Sequence, residues 1–471
     1  MFLLIHLCLE FSLSKLAPKS IVIVGGGASA TLLLAQLSIQ LHSYLSTNIY
    51  IIDDSENFNL GVAYSVEHPS FILNVAANRM GAWCDKPDDF YQWLNNYPHL
   101  WRNLHKDFAS VQYYEEDFVP RMIYGAYLRW IFECSIVMAK EKNIHVHRIS
   151  AKISTISDIK YSSKLLVKTD RHESFRADVV IVATGNSTQK NQNLIGKNIF
   201  PSPYHPDFIT QNWADVNNII IVGSGLSMVD AVQFLSQQHY KGNIQVFSRH
   251  GLIPLPHLEP DTQQKCKPFI FSGKINARII VKKIRSKILQ NSQLGINWQT
   301  TINNLRSHTN DLWLSLSTEE QKKLRRLLPW WNVARHRIPK TVFEFLIKLQ
   351  LEKKLTITKG DVKQAESDSE YFLLKLHQKT AFIKADKLVV CSGYFYDQQL
   401  KKICGNLFDS EAIYCCHNQK LSKTHELYAI GPVLGGLLFE TTAIHEIRQQ
   451  SLDIAVAIMS QLQEILEAHS N

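Results

Sequence analysis

The sequence predicts an α/β protein with parallel sheets, on three observations. An apolar run enters three glycines in "IVIVGGGASA" (21–30), the same pattern returns in "IIIVGSGLSM" (219–228), and strand-like and helix-like segments alternate around both. Short continuous apolar runs ending in glycine read as buried strands, and apolar residues at helical spacing read as the helices that cover them. In chain order, the run at 21–24 is a strand, "ASATLLLAQLSIQLHSYL" a helix and "NIYIIDD" (48–54) a second strand, which makes one βαβ unit. The second unit repeats that order, with "NIIIVGSG" (218–225), the helical 226–238 and the strand "NIQVFSR" (243–249). Shorter strands are expected around 164–169 and 178–183 and in "KLVVCSGY" (387–394), and a last helix from about Thr441 to Ala468. Such alternation implies a parallel sheet between layers of helix, and the duplication implies two nucleotide-binding, Rossmann-like domains in a three-layer architecture.

Composition bounds the answer. The chain has 471 residues, 45% hydrophobic and 20% charged, as in an ordinary folded protein of two or three domains. The net charge of +9 raises a nucleic-acid or membrane-surface reading, and "KKIRSK" (282–287) and "KKLRR" (322–326) sharpen it. Both lie among helix-period apolar residues and read as solvated helix faces, so neither nucleic acid nor stable membrane insertion is expected. Eight cysteines without CxxC or zinc spacing point to a reducing, cytoplasmic setting and no structural metal. They also exclude a closely spaced redox pair apart from the adjacent Cys415 and Cys416. The apolar "MFLLIHLCLEFSLSKLAP" lacks a basic start and carries Glu10, so it reads as an extension or mis-called start in preference to an export signal.

The glycine turns carry the chemistry. Gly25-x-Gly27-x-x-Ala30 fits the dinucleotide fingerprint: a tight turn, a close approach of the pyrophosphate, and a small residue where helix meets strand. The helix N-terminus then offers free N–H groups and partial positive charge to phosphate. Asp53, with Asp54 as its neighbouring rival, ends the next strand and suits ribose hydroxyls. In the second turn Gly223 and Gly225 recur, but Met228 stands where a small residue is usual, which predicts a helix pushed slightly off its strand. Ser248 and Arg249 take the place of Asp53, and a guanidinium there suits a 2′-phosphate. An unphosphorylated ribose in one turn and a phosphorylated one in the other is what NADPH reduction of a held FAD requires, with NADH as the other donor. Thr184 and Gly185 in "ATG" and Gly393 in "CSG" are small-residue strand exits where backbone passes close to a bound dinucleotide. An FAD domain over 18–210 and 380–471 is thus expected to be interrupted by an NAD(P) domain over 211–379 with a helical insert.

These segments resemble the FAD/NAD(P)-binding proteins whose characterised relatives include FAD-dependent urate hydroxylase, and more distantly the flavin-containing and N-hydroxylating monooxygenases. The resemblance runs from about Ser20 to the C-terminus. It rests on the two glycine turns, "GVAYSVEHPSFILNVAANRMGAWCDKPDDFYQWL" (61–94), "VFSRHGLIP", "WWNVARHRIP" (330–339) and "LYAIGPVLGGLLFETTAIHEIRQQSLDIA" (427–455). It implies a monooxygenase in which NADPH reduces FAD, oxygen adds to the reduced flavin and the resulting hydroperoxide hydroxylates a small molecule, urate-like or an amine. "FPSPYHPDF" (200–208) follows the monooxygenase FxGxxxH spacing only loosely, so an NAD(P)H oxidase or reductase stands as the alternative. A non-catalytic nucleotide-binding protein is the third reading, supported by Met228 and the basic runs.

A reduced flavin is negatively charged and calls for positive potential, which "GPVLGG" (431–436) and the start of the last helix supply. Gly431, Pro432 and Thr442 are expected near the isoalloxazine, with Thr441 or Thr442 as cap. Asn74 and Arg79 are candidates for flavin or substrate polar atoms, and Met80 and Trp83 for ring walls or simple core. His336, like His205, is a candidate acid–base group or substrate anchor. Self-association into a homo-oligomer is left open.

Overall fold

The computed structural model describes residues 18–42, 46–186, 194, 196, 198–258, 269–271, 275–367, 371–376, 380–393, 399–416 and 419–470. The apolar N-terminal run, Cys8 and Cys266 lie outside them. Two compact units emerge: Met1–Glu67 with Ala76–Ser187 and Phe395–Asn471, and His68–Val75 with Thr188–Tyr394.

In the first unit, β1 (Lys19–Val24), β2 (Thr47–Asp53) and β3 (Ile144–Ser150) are followed by the meander β4 (Ile153–Asp158), β5 (Leu165–Thr169) and β6 (Ser174–Ala177), then β7 (Val179–Val182). In the second, β8 (Ile199–Phe200), β9 (Asn218–Val222), β10 (Asn243–Ser248) and β11 (Leu355–Lys359) precede the meander β12 (Val362–Ser367), β13 (Tyr371–Leu376) and β14 (Thr380–Lys384), and β15 (Lys387–Val390). Finally β16 (Leu427–Ala429) returns to the first sheet. The sheets read β16-β7-β1-β2-β3 and β8-β15-β9-β10-β11, parallel throughout, so four strands follow one order in both units and only the edge strand beside them differs, last in the chain in the first sheet and first in the second. The central strands are apolar on both faces: Ile21, Val22, Ile23, Val180 and Ile181 are fully buried, as are Ile220 and Ile221. That is why they read as continuous hydrophobic runs with no alternation.

The helix Ala28–Gln40 is buried along ten of its residues because it is sandwiched between the helices Arg121–Glu141 and Ile444–Ser470. Three features go beyond the sequence reading. The segment at 164–169 is a strand, but it pairs antiparallel in a meander outside the parallel sheet. The last helix opens at Ile444, where the Ile447 N–H reaches the Ala443 carbonyl, so Ala443 holds the position expected of Thr441 or Thr442. The second sheet also takes in β8 and β15, on either side of the span 211–379.

Between β10 and β11 lies the helical insert: Ala277–Gln293, Trp298–Leu305, Thr309–Leu314, Thr318–Arg325, Leu328–Arg335 and Lys340–Leu351. Asn276, Asn297 and Ser317 cap three of these through main-chain N–H groups. Phe269, Ile280, Leu305, Leu312 and Leu316 form an apolar cluster of its own.

Candidate functional site

The first turn is built where three strands end together. Gly25 has φ +102, a conformation side chains avoid, and a Cβ there would lie 2.6 Å from the Ala183 carbonyl oxygen. Its N–H donates to the Ile52 carbonyl (2.8 Å) while the Ala183 N–H donates to that of Val24 (2.7 Å), which ties β1, β2 and β7 at one edge. Gly27 is the N-cap of Ala28–Gln40 and no side chain caps it, so the first N–H groups of that helix face outward to an anion. Gly61, φ +67, closes over it: a Cβ on Gly27 would lie 3.3 Å from the Gly61 Cα. Ala30 is buried, packing helix to sheet.

Asp53, and not the exposed Asp54, belongs to this turn. One carboxylate oxygen accepts the Gly26 N–H and the other the Ser55 N–H at 2.7 Å. A carboxylate accepts about four hydrogen bonds, so capacity remains for ribose hydroxyls. Alongside, Thr184 Oγ1, Asn186 Oδ1 and Asn59 Oδ1 are buried without a partner in the protein. Each such atom costs about 1–3 kcal/mol when left unsatisfied, and a dinucleotide seated against the strand exit would relieve it. Gly185, φ +71, continues that exit. From the far end of the chain, Gly431 (φ +76) comes so close to the helix that a Cβ would lie 2.4 Å from Ser29 Oγ. Its N–H donates to Gln450 Oε1 (2.8 Å), and Pro432 behind it is buried. Thr442 is exposed. The residues here fit a dinucleotide.

The second turn repeats the geometry. Gly223 has φ +107, and a Cβ would lie 2.1 Å from the Cys391 carbonyl oxygen. Its N–H donates to the Phe247 carbonyl (2.8 Å), and the Cys391 N–H to that of Val222 (2.7 Å). Gly225 is an uncapped helix N-cap, and a Cβ on it would meet nothing within 4 Å. Met228 is fully buried, and the turn keeps the form of the first despite it. Where Asp53 holds Gly26, here Ser248 Oγ pairs with Ser224 Oγ (2.8 Å) and accepts the Gly251 N–H (3.0 Å). Arg249 is exposed beside it, and Gly393 takes φ +91 at the matching strand exit. Burial, with Asp230 adding to it, pushes the Cys391 thiol far up, so it stays protonated.

The remaining sequence candidates are dispersed. In the second unit, Asn74 is half-buried and its carbonyl accepts the His257 Nε2–H at 3.0 Å, while the half-buried His336 closes the helix Leu328–Arg335. His205 Nδ1 accepts the Asp207 N–H and caps the short helix Pro206–Thr210; the neighbouring Tyr204 donates to Asp230 at 2.5 Å. In the first unit, Arg79 lies on the surface in an ion pair with Glu116 (3.0 Å), Met80 is buried and Trp83 half-buried. Sequence reasoning missed Gly61, Ser224 and Asn186; only Gly61 carried a signal, as a glycine in the quoted 61–94 block. Among the described residues no cluster of three or more His, Cys, Asp or Glu could hold a metal, and no helix is long and apolar enough to cross a membrane.

Residues 22–187 match the model of the family described as FAD-NAD(P)-binding, so the first glycine turn, Asp53 and the "ATG" exit lie in an FAD-NAD(P)-binding domain. No curated protein matches the chain in sequence. Among solved structures, the ornithine N-hydroxylase of Kutzneria sp. 744 is similar at TM-score 0.62 and 13% identity, over 95% of this chain and 100% of that one. Ornithine hydroxylase of Pseudomonas aeruginosa follows at 0.60 and 12%, again over 95% and 100%. The bacillithiol disulfide reductase of Staphylococcus aureus is similar at 0.52 and 12%, over 95% and 99%. These likenesses show a shared two-domain, interrupted α/β fold.

Proposed function

We propose that this chain, with its FAD-NAD(P)-binding domain at 22–187, is an FAD-dependent NAD(P)H oxidoreductase that acts as a monooxygenase on a small nitrogen compound, an amine or a urate-like ring. The carrying observation is the pair of glycine turns, alike in backbone yet ended by Asp53 in one and by Ser248 and Arg249 in the other. The first suits FAD: the N–H groups of residues 28 and 29 meet the pyrophosphate, Asp53 takes ribose hydroxyls, Thr184 and Asn186 satisfy their orphan atoms, and Gly431 and Pro432 approach without bulk. The second suits NADPH, with Arg249 on the 2′-phosphate and Gly225 leaving room for the pyrophosphate. FAD, when bound, supplies hydride acceptance and oxygen activation; the protein supplies orientation and electrostatics. Asn74 and His336, both half-buried in the second unit, are the proposed polar groups for substrate, Arg79 being paired with Glu116 at the surface of the first unit, and the solved ornithine hydroxylases of this fold favour an amine over urate. The test is a screen of amines and purines against FAD-loaded enzyme, reading NADPH oxidation, peroxide and hydroxylated product. Faster NADPH loss with matching product is expected for one class.

A second reading, an oxidase or a reductase of another acceptor, draws on the disulfide reductase of the same fold. Among the described residues Cys84, Cys134, Cys391 and Cys404 are free thiols, with Cys391 held neutral. Peroxide equal to NADPH consumed, whatever compound is added, selects this reading.

A further inference from the structure

The chain's positive charge is concentrated in one place. Residues 275–340, within the helical insert, hold thirteen lysines and arginines against three carboxylates, Asp311, Glu319 and Glu320. That is a surplus of ten in a chain whose net charge is +9, so the rest of the molecule is close to neutral. On the helix Ala277–Gln293, Arg278, Lys282 and Arg285 are exposed at helical spacing along one face, and Leu289 continues the stripe with 62% of its surface in water. Just past this helix Leu294 is 60% exposed. The helix Thr318–Arg325 is docked beside it: Glu320 accepts the Ala277 N–H, and Ile280, Ile284 and Leu324 share one apolar cluster. On and just past this helix Lys322, Lys323, Arg325 and Arg326 are exposed, the Arg325 guanidinium lying over the Trp313 ring, and Leu327 and Trp330 follow, 42% and 51% exposed, with the Trp330 ring against His250. Glu319 and Glu320 offset two of these bases through ion pairs to Lys322 and Lys323.

We propose that the basic, apolar-studded surface of the insert docks peripherally on an anionic lipid surface. Long-range attraction comes from the charge surplus, and Leu289, Leu294, Leu327 and Trp330 enter the headgroup layer. Nucleic acid would use the bases equally well, but isolated leucines gain nothing from phosphate, whereas they gain from an acyl boundary; a bilayer therefore fits both halves of the observation. This is association with a surface and needs no membrane-spanning helix, and it holds whichever reaction the enzyme catalyses.

The test is sedimentation of the full FAD-loaded chain with vesicles of phosphatidylcholine alone or with about a third phosphatidylserine, a composition with strong negative surface potential. Binding is expected only to the anionic vesicles, with a loss of about tenfold or more when salt is raised to about 0.5 M. Lys282→Gln/Arg285→Gln should weaken it about twentyfold, since each near-surface charge is worth about fivefold. Leu327→Ser/Trp330→Ser should weaken it at constant charge. All four side chains are at least partly exposed, so flavin content and circular dichroism should stay those of the parent. No binding to anionic vesicles, equal binding to both compositions, or parental binding by both double variants would overturn the proposal. So would retention on duplex RNA, tighter than on vesicles, that Leu327→Ser/Trp330→Ser leaves unchanged; that outcome assigns the surface to nucleic acid.

Discussion

Two turns with nearly superimposable backbones hold unlike chemistry behind them. Gly25 and Gly223 differ by five degrees in φ, Gly27 and Gly225 not at all, and each first glycine abuts a strand-exit carbonyl, from Ala183 or Cys391. The difference lies at the end of the second strand, which abuts the turn. Asp53 clamps the Gly26 N–H with a charge, whereas Ser248 and Ser224 join through neutral hydroxyls and leave Arg249 to solvent. Roofing differs too: Gly61 covers Gly27, while the space over Gly225 is open. A covered, charge-clamped cradle suits a carrier that stays; an open one with an exposed cation suits one that comes and goes.

The comparison can be broken most forcefully at the first glycines. Gly25→Ala and Gly223→Ala each force a side chain into left-handed backbone and onto a carbonyl, at a cost of about 3 kcal/mol or more. Gly25→Ala should yield protein without flavin absorbance, and Gly223→Ala should keep flavin yet lose its reduction by NADPH. Identical losses in both variants would dissolve the assignment of one carrier to each turn. Next in size, Asp53→Ala removes a charge-assisted hydrogen bond and an expected ribose contact, about 2 kcal/mol or thirtyfold in FAD retention. Equilibrium dialysis of flavin measures this, and nicotinamide affinity should be untouched. Arg249→Ala should weaken NADPH about tenfold and NADH hardly at all, read from the concentration dependence of flavin reduction. Equal losses for both donors would remove the 2′-phosphate role. The subtlest test is Gly225→Ala: the residue has φ −83 and open space, so the melting temperature should move little. NADPH binding should nonetheless fall, because the added methyl occupies the place of the pyrophosphate. Unchanged affinity would mean the opening holds no ligand.

Much of this was legible in the chain because it is local. A buried strand shows as an apolar run, and a sharp turn needing positive φ at Gly25 or Gly223 admits little besides glycine. Boundaries were less legible: Thr441 and Thr442 are good capping types, yet the helix starts at Ile444, and only the packing of Ile444 and Ile447 into the core settles that. Met228 misled in the other direction, since a large side chain was absorbed by the core without bending the turn.

The sequence by itself determined two strand–turn–helix units and the unlike residues that end their second strands, since these depend on dihedral preference and apolar periodicity over a few residues. Tertiary structure alone decided that "ATG" and "CSG" lie against Gly25 and Gly223, that each unit carries a separate antiparallel meander, and that Gly431 meets Ser29. Those depend on strand register and on close packing between segments far apart in the chain, where the partner of a residue is set by three-dimensional fit and not by its neighbours in sequence.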